Sequence, residues 1–104
     1  MPSVMGKGNF TNKAVEDLTS IWRYSSLEWS PSQADVYYRA IIDACREESV
    51  ESSVLAPRDY ANVSPGLKGR KARKHIIFYK RVSPEEITVI RILHERMDVK
   101  SLSH

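Results

Sequence analysis

The amino-acid sequence predicts an α+β fold, in which a short N-terminal strand and an antiparallel helical hairpin precede a three-stranded antiparallel meander packed on the helices. Two stretches in the first half repeat apolar residues at the three-and-four spacing of a helix face. Two runs in the second half are instead dense in the β-branched and aromatic residues that favour strands. Helices that precede a block of strands are typical of α+β folds. We expect residues 1–104 to form one domain with flexible ends at 1–6 and 99–104.

The first helix follows a short edge strand predicted at residues 7–11. Thr11 or Asn12 can cap this helix, because either side-chain oxygen can accept a hydrogen bond from a free N–H group of the first turn. Its predicted apolar face consists of Ala14, Leu18, Ile21, Trp22, Ser25 and Trp29. We interpret both tryptophans as core residues, because aromatic residues at helical spacing usually pack inside a small domain.

The second helix is predicted to begin at a cluster of three residues. Ser30 is the expected N-cap, Pro31 takes the first helical position, where its missing N–H is not needed, and Gln33 completes a capping box. The predicted apolar face consists of Ala34, Tyr37, Tyr38, Ile41, Ala44 and Cys45. Because almost no loop separates the two helices, we expect them to be antiparallel neighbours.

Strands are predicted at residues 76–82 and 87–93, with a four-residue connection, Ser83–Glu86. The alternation of a strand places four side chains of the second run on one face: Ile87, Val89, Arg91 and Leu93. Arg91 is the one charge among these aliphatic residues. It therefore either pairs within the protein, for example with Glu95 or Asp98, or serves a binding site.

Basic residues are concentrated in the second half of the chain. Residues 1–51 contain 5 Lys and Arg against 8 Asp and Glu, a charge of −3, whereas residues 52–104 contain 11 against 5, a charge of +6. A Pro65-Gly66 turn precedes Leu67, which opens a weak strand over the basic stretch 68–74, KGRKARK. Such a charge can serve nucleic acid, an acidic protein partner or solubility, and composition alone does not separate these.

Several classes of protein are disfavoured by composition. The single cysteine, Cys45, rules out an intramolecular disulfide framework and predicts a reducing, cytoplasmic environment. No apolar run approaches the ~15 to 20 residues of a signal peptide or membrane span. Metal-ligand spacings, a Gly-rich phosphate loop and a nucleophile elbow are also missing from the sequence. We therefore predict no metal, no cofactor and no membrane contact.

Five pieces of the sequence, in this order, resemble the ParE toxins of the RelE/ParE superfamily. They are Lys13–Leu18 with Ile21–Tyr24, Gln33–Asp35 with Tyr37–Tyr38, Pro65–Leu67, His75–Tyr79 and Ile90–Asp98. The resemblance spans residues 11–98, and the ending Leu-His-Glu-Arg-Met-Asp at 93–98 points to ParE within the superfamily.

The resemblance implies the toxin of a type II toxin-antitoxin, plasmid-stabilisation module. Such a toxin inhibits DNA gyrase by binding it, is neutralised by a ParD-like antitoxin and meets DNA only through these partners. The isolated charge of Arg91 and the chain that leaves the sheet after it predict the target-binding residues Arg91, His94, Glu95, Arg96, Met97 and Asp98. The basic stretch predicts the antitoxin-binding residues Lys68, Arg70, Lys71, Arg73 and Lys74.

The alternative is a ribosome-dependent ribonuclease of the RelE kind. Cleavage through the 2′-OH needs a base, cations at the phosphate and an acid, all within hydrogen-bond reach. The candidate residues, expected to converge on one sheet face or its rim, are Arg58, His75, Tyr79, Arg91 and His94. RelE-like nucleases usually end in a catalytic tyrosine or histidine, but residues 95–102 contain no tyrosine and only the terminal His104 remains. We therefore predict a non-enzymatic binding protein, with an inactive family member that only binds antitoxin as a third alternative.

Overall fold

Two helices and a five-stranded mixed sheet form the part of the chain that the structure, a computed structural model, describes, residues 7–49 and 57–97. The elements are β1 (Lys7–Phe10), α1 (Asn12–Glu28), α2 (Pro31–Ser49), β2 (Arg58–Asp59), β3 (Leu67–Ala72), β4 (His75–Ser83) and β5 (Glu86–His94). The strand order is β1-β5-β4-β3-β2. The predicted α+β fold is therefore confirmed. The expectations for the two chain ends and for Asp98 concern residues outside the described ranges.

Both predicted helix starts are confirmed. The N–H of Ala14 donates to Thr11 Oγ1 at 3.1 Å, so Thr11 caps α1. The N–H of Gln33 donates to Ser30 Oγ at 3.1 Å, which caps α2 in the same way. Each cap satisfies an amide that the helix itself leaves without an acceptor.

The prediction that both tryptophans belong to the core is wrong. Trp22 and Trp29 are exposed, Trp29 by 57%, and Tyr38 of α2 is exposed as well. The buried stripe of the hairpin consists of Ala14, Leu18, Ile21, Ser25, Ala34, Ile41, Ala44 and Cys45. Because half of these side chains are small, the large rings lie at the margins of the stripe, where Trp22 Nε1 donates to Asp35 Oδ1 at 2.9 Å.

The sheet is covered on both faces. The main core lies between the helical hairpin and one face, where Ile77 and Tyr79 of β4 point. Because successive strand residues point to opposite sides, Phe78 lies on the other face. There it packs with Leu67, Leu93 and, from the loop before β3, Tyr60. Gly69 allows this packing, since a Cβ at that position would lie 2.5 Å from Tyr60 Cε2.

The β4–β5 hairpin is confirmed, but its connection and its register differ from the prediction. Ser83 pairs with Glu86, so only two residues connect the strands. Phe78 pairs with Arg91 while Tyr79 pairs with Val89, which leaves Ile90 as an extra residue, a β-bulge. The face predicted for Ile87, Val89, Arg91 and Leu93 is therefore split. The first two belong to the main core and Leu93 to the second cluster.

The sheet is also wider than the predicted meander. The expected edge strand is β1, which runs parallel to β5 with Lys7 beside Glu86 and Phe10 beside Val89. After β1 ends, Thr11 continues the contact, because its N–H donates to Val89 O at 3.0 Å and its Oγ1 donates to Ile90 O at 2.7 Å. On the opposite edge, β2 is too short to carry a strand periodicity, which is why the sequence analysis missed it.

The turns around β3 are confirmed, and its basic sequence does form a strand. Leu67 N–H donates to Ser64 O at 3.0 Å across the Pro65-Gly66 turn, and Gly66 has the positive φ of 78° that a type II turn requires. Ala72 pairs with His75, so a two-residue turn joins β3 to β4. Neither helix in the described ranges is long and apolar enough to cross a membrane.

Candidate partner-binding cleft

A cleft of about 390 Å³ opens between the helical hairpin and the end of the sheet where β4 begins and β5 ends. Its lining residues are Ser20, Ile21, Tyr24, Ser25, Trp29, Tyr37, Lys74, His75 and His94. Five of these nine side chains carry aromatic rings. None of the described residues that line the cleft carries a carboxylate, and Lys74 is its formal cation.

His75 and His94 face each other across β4 and β5. They are cross-strand partners, and their rings meet edge to face with centroids 5.3 Å apart. Burial and the neighbouring His94 lower the pKa of His75 to about 4, so its imidazole is neutral at pH 7. The acidic residues Asp17 and Glu95 oppose this shift only weakly.

Hydrogen bonds hold both rings in place. Tyr37 Oη accepts the N–H of Lys74 at 3.1 Å and shares a hydrogen bond of 2.7 Å with His75 Nδ1. Burial raises the pKa of Tyr37, so this hydroxyl keeps its proton. His94 Nδ1 accepts the backbone N–H of Arg96 at 3.1 Å, which leaves Nε2 of His94 as the N–H donor of that ring.

The chain after β5 is a structured turn beside the cleft. Glu95 N–H donates to Lys74 O at 2.9 Å, and Met97 N–H donates to His94 O at the same distance. The ammonium of Lys71 lies 3.1 Å from Glu95 Oε1 and lowers the pKa of that carboxyl group. Four predicted target-binding residues, 94–97, are thus brought together, with Met97 half exposed, while Asp98 lies outside the described ranges.

Arg91, the remaining predicted target-binding residue, is engaged inside the protein. Its Nε donates to Asp17 Oδ2 at 2.8 Å and its Nη2 to Asp17 Oδ1 at 3.0 Å. The predicted internal partner Glu95 is wrong, because Glu95 pairs with Lys71. No local pattern could have indicated Asp17, which lies 74 residues earlier in the chain.

The predicted antitoxin-binding stretch is not a uniform cationic face. Strand alternation directs Arg70 towards α2, where it pairs with Glu47 at 2.8 Å and with the buried Glu48 at 3.4 Å. Lys68 lies 3.8 Å from Asp59, and Lys71 pairs with Glu95 as described above. Arg73 and Lys74 in the β3–β4 turn are exposed, and within residues 7–49 and 57–97 neither forms an ion pair. The outward charge is therefore concentrated at this turn.

The five residues proposed for RNA cleavage do not converge. Only His75 and His94 meet. Tyr79 is buried on the helix-covered face, where its hydroxyl donates to Glu48 Oε2 at 2.8 Å and where burial and this carboxylate raise its pKa. Arg58 lies on the edge strand β2, 5.7 Å from the ring centroid of Tyr60, and Arg91 is held by Asp17.

Most of the residues that line the cleft were not predicted from the sequence. Tyr24, Trp29 and Tyr37 flank the interhelical turn, and helical spacing placed the last two on core stripes. The aromatic residues on both sides of Ser30 and Pro31 could have indicated a binding surface. They were interpreted as core residues instead.

Comparison with known proteins agrees with this architecture. The family model for the ParE toxin of the type II toxin-antitoxin system, parDE, matches residues 9–99. Toxin ParE1 of Mycobacterium tuberculosis is 30% identical over 86 residues, covering 83% of this chain and 86% of that protein. Toxin ParE of Escherichia coli is 28% identical over 89 residues, covering 86% and 84%.

A solved structure shares the fold. The chromosomal ParDE toxin-antitoxin system from P. aeruginosa contains a chain with a TM-score of 0.58 and 20% identity, covering 88% of this chain and 98% of that one. This likeness shows a shared fold. The family model over residues 9–99 places the chain among the toxins of type II toxin-antitoxin systems. With the 30% identity to Toxin ParE1, it shows that the chain belongs to the ParE toxin family.

Proposed function

We propose that this protein inhibits DNA gyrase by binding it, and that a ParD-like antitoxin neutralises it in the cytoplasm. Membership of the ParE toxin family supports the role of toxin and the type of antitoxin. The absence of a membrane-spanning helix from the described residues is compatible with the proposed location.

The observation that favours binding over RNA cleavage is that the candidate catalytic groups do not converge. A ribonuclease of this kind needs a base, cations at the phosphate and an acid within hydrogen-bond reach of one another. Of the five candidates only His75 and His94 meet. Tyr79 is buried against Glu48, Arg91 is held by Asp17, and Arg58 lies on the edge strand β2.

We assign target recognition to the turn at 94–97, together with Asp98. Arg96 and Met97 are exposed there on a turn whose backbone is fixed by hydrogen bonds to Lys74 and His94. A preorganised turn loses little conformational entropy on binding, which favours affinity. Arg91 contributes from behind this surface, by holding the end of β5 against α1.

A supercoiling assay combined with toeprinting in a translating extract tests the proposal. We expect purified protein to inhibit supercoiling by gyrase or to trap its cleaved DNA complex, without cutting messenger RNA. Position-specific cuts in messenger RNA with normal supercoiling would instead assign the protein to the ribonuclease class. Normal supercoiling and uncut messenger RNA, with intact antitoxin binding, would identify an inactive family member.

A variant pair locates the surface that contacts gyrase. Arg96→Ala combined with Met97→Ala should weaken inhibition by about tenfold or more, because exposed Arg and large apolar side chains are frequent interface hot spots. Arg23→Ala, at an exposed position of α1, is the matched control and should inhibit like the parent protein. Equal inhibition by both variants would exclude the turn.

A further inference from the structure

The cleft has the composition of an anchor site. Tyr24 and Trp29 at its rim are exposed by 64% and 57%, and Leu27, one turn beyond Tyr24 on α1, is exposed by 82%. Large apolar groups grouped at one end of a small protein mark a surface that a partner covers. A volume of about 390 Å³ can hold one large side chain with its backbone, and it lies within the usual range for ligand clefts.

The polar groups of the cleft are donors. Lys74 contributes an ammonium, Ser20 and Ser25 contribute hydroxyls, and His94, whose Nδ1 accepts from Arg96, contributes an Nε2–H group. No described lining residue supplies a carboxylate to compete for these donors. Acceptor oxygens that carry negative charge therefore fit the cleft best.

The distribution of cations around the cleft also favours a negatively charged ligand. Lys68, Arg70 and Lys71 are committed to Asp59, Glu47 with Glu48, and Glu95. The cations without an ion pair in the described part of this stretch, Arg73 and Lys74, belong to the turn at the cleft, and Lys74 lines it. Two cations suit a short acidic segment, whereas a nucleic acid strand would need a longer row of them.

We propose that this cleft anchors the tail of the antitoxin by taking one aromatic or large aliphatic side chain while an adjacent carboxylate faces Lys74 and Arg73. The inference rests on the proposed neutralisation by a ParD-like antitoxin and names the site and the chemistry of that contact. Neutralisation then depends on Arg73 and Lys74 and on the aromatic residues of the helical hairpin that line the cleft, and not on the whole basic stretch 68–74.

The fluorescent probe 1-anilinonaphthalene-8-sulfonate tests the cleft in the free toxin, because it combines aromatic rings with a negative charge. Ser20→Glu places a carboxylate in the cleft from an exposed helical position, where it repels the sulfonate and competes for the donors, and it should weaken probe binding about tenfold. Thr19→Glu, one residue earlier and also exposed but outside the lining, adds the same charge and is the matched control, which should bind like the parent protein. Equal probe binding by the two variants overturns the site.

A ParD-like antitoxin provides the second test. It should displace the probe from the parent toxin, and its affinity should fall about tenfold for Ser20→Glu but not for Thr19→Glu. Lys74→Glu should weaken its binding at low salt, while Lys13→Glu, an exposed charge on α1 outside the cleft, should not. Undisturbed antitoxin binding by Ser20→Glu overturns the anchor and leaves neutralisation standing, whereas an antitoxin that binds no toxin at all overturns the proposed function itself.

Two other occupants of the cleft have distinct signatures. Probe binding that weakens as toxin concentration rises would assign the cleft to a second copy of the chain. Probe binding that tightens when Val99 and Leu102 are both replaced by serine in the full chain would assign it to the protein's own C-terminal residues. Either result overturns the antitoxin as occupant.

Discussion

Arg91 and Asp17 join the end of β5 to α1 through two parallel hydrogen bonds of 2.8 and 3.0 Å. Asp17 Oδ2 also accepts the N–H of Ile92 at 2.9 Å, on the stretch of β5 that extends past its pairing with β1. The side chain of Asp17 is only 14% exposed, so the carboxylate depends on these donors. Arg91 thus holds in place the α1 carboxylate of Asp17, which satisfies the free edge of β5.

Arg91→Ala should therefore destabilise the protein. We expect the free energy of unfolding to fall by about 2 kcal/mol, because a mostly buried carboxylate loses its charged partner while keeping the Ile92 amide. Urea denaturation measures this change, and a double-mutant cycle with Asp17→Asn should show strong coupling. Toxicity should fall only in proportion to the folded fraction. If Arg91→Ala loses toxicity while stability and antitoxin binding are retained, Arg91 contacts the target directly.

Tyr79→Phe is expected to lower the free energy of unfolding by about 1 to 2 kcal/mol. The buried Glu48 would lose the 2.8 Å hydrogen bond from the Tyr79 hydroxyl and keep the longer contact with Arg70. Toxicity per folded molecule should be unchanged, because this hydroxyl lies in the core. Tyr60→Phe on the other face of the sheet is a control for loss of a phenolic hydroxyl. A selective loss of toxicity in Tyr79→Phe would reopen the catalytic alternative.

The stability of the protein should decline between pH 7 and pH 5 in a way that depends on His75. Its folded-state pKa of about 4 lies below the ordinary value of 6.5, so the unfolded chain binds the proton more readily. The contribution of neutral His75 to the free energy of unfolding is therefore fully present above pH 6.5 and is lost as the pH falls towards 4. Because the ring is partly solvated, we expect a total of about 1 to 2 kcal/mol.

Urea denaturation across this pH range, compared between the parent protein and His75→Gln, measures the histidine contribution alone. The variant should show the flatter pH profile, since glutamine can accept from Tyr37 without titrating. Groups that do not interact with His75 contribute equally to both profiles and cancel in the difference. Parallel profiles would mean that His75 keeps its ordinary pKa in the folded state.

Arg73→Gly is expected to stabilise the β3–β4 hairpin. Arg73 has a φ of 59°, a left-handed conformation that costs a residue with a Cβ about 1 kcal/mol and costs glycine little. Thermal denaturation should show a correspondingly higher midpoint, offset partly by the greater freedom of glycine in the unfolded chain. Arg73→Ala, which removes the same charge but keeps the Cβ, is the control and should show no such gain.

The features that the sequence predicted are those encoded by neighbouring residues. Thr11 and Ser30 cap helices through amides three positions away, and Gly66 supplies the positive φ of its own turn. The order of helices and strands followed from hydrophobic periods of the same short range. The family resemblance supplied the class of toxin, which periodicity alone does not contain.

The features that the sequence did not predict depend on distant parts of the chain. The bulge at Ile90 changes the face of the sheet on which the side chains of Arg91 and Leu93 lie. The alternation of apolar and polar residues in the sequence does not indicate such an extra residue. Asp17 becomes the partner of Arg91 only because β1 places α1 beside β5. Trp29 looked like a core residue because spacing reports which residues share a face, whereas exposure depends on how far the opposing surface extends.

Because β1 pairs in parallel with β5, the sheet of this toxin can be completed only late in its synthesis. The helical hairpin consists of contacts between neighbouring segments and can form while the rest of the chain is still being made. β1 must wait, because Lys7 pairs with Glu86 and Thr11 with Ile90, 79 residues later. Contacts between such distant segments form slowly and only once both are available. A premature stop before Glu86 therefore leaves the first strand without its neighbour, so that nascent and shortened chains are expected to be harmless for a reason of assembly as well as for the missing C-terminal turn.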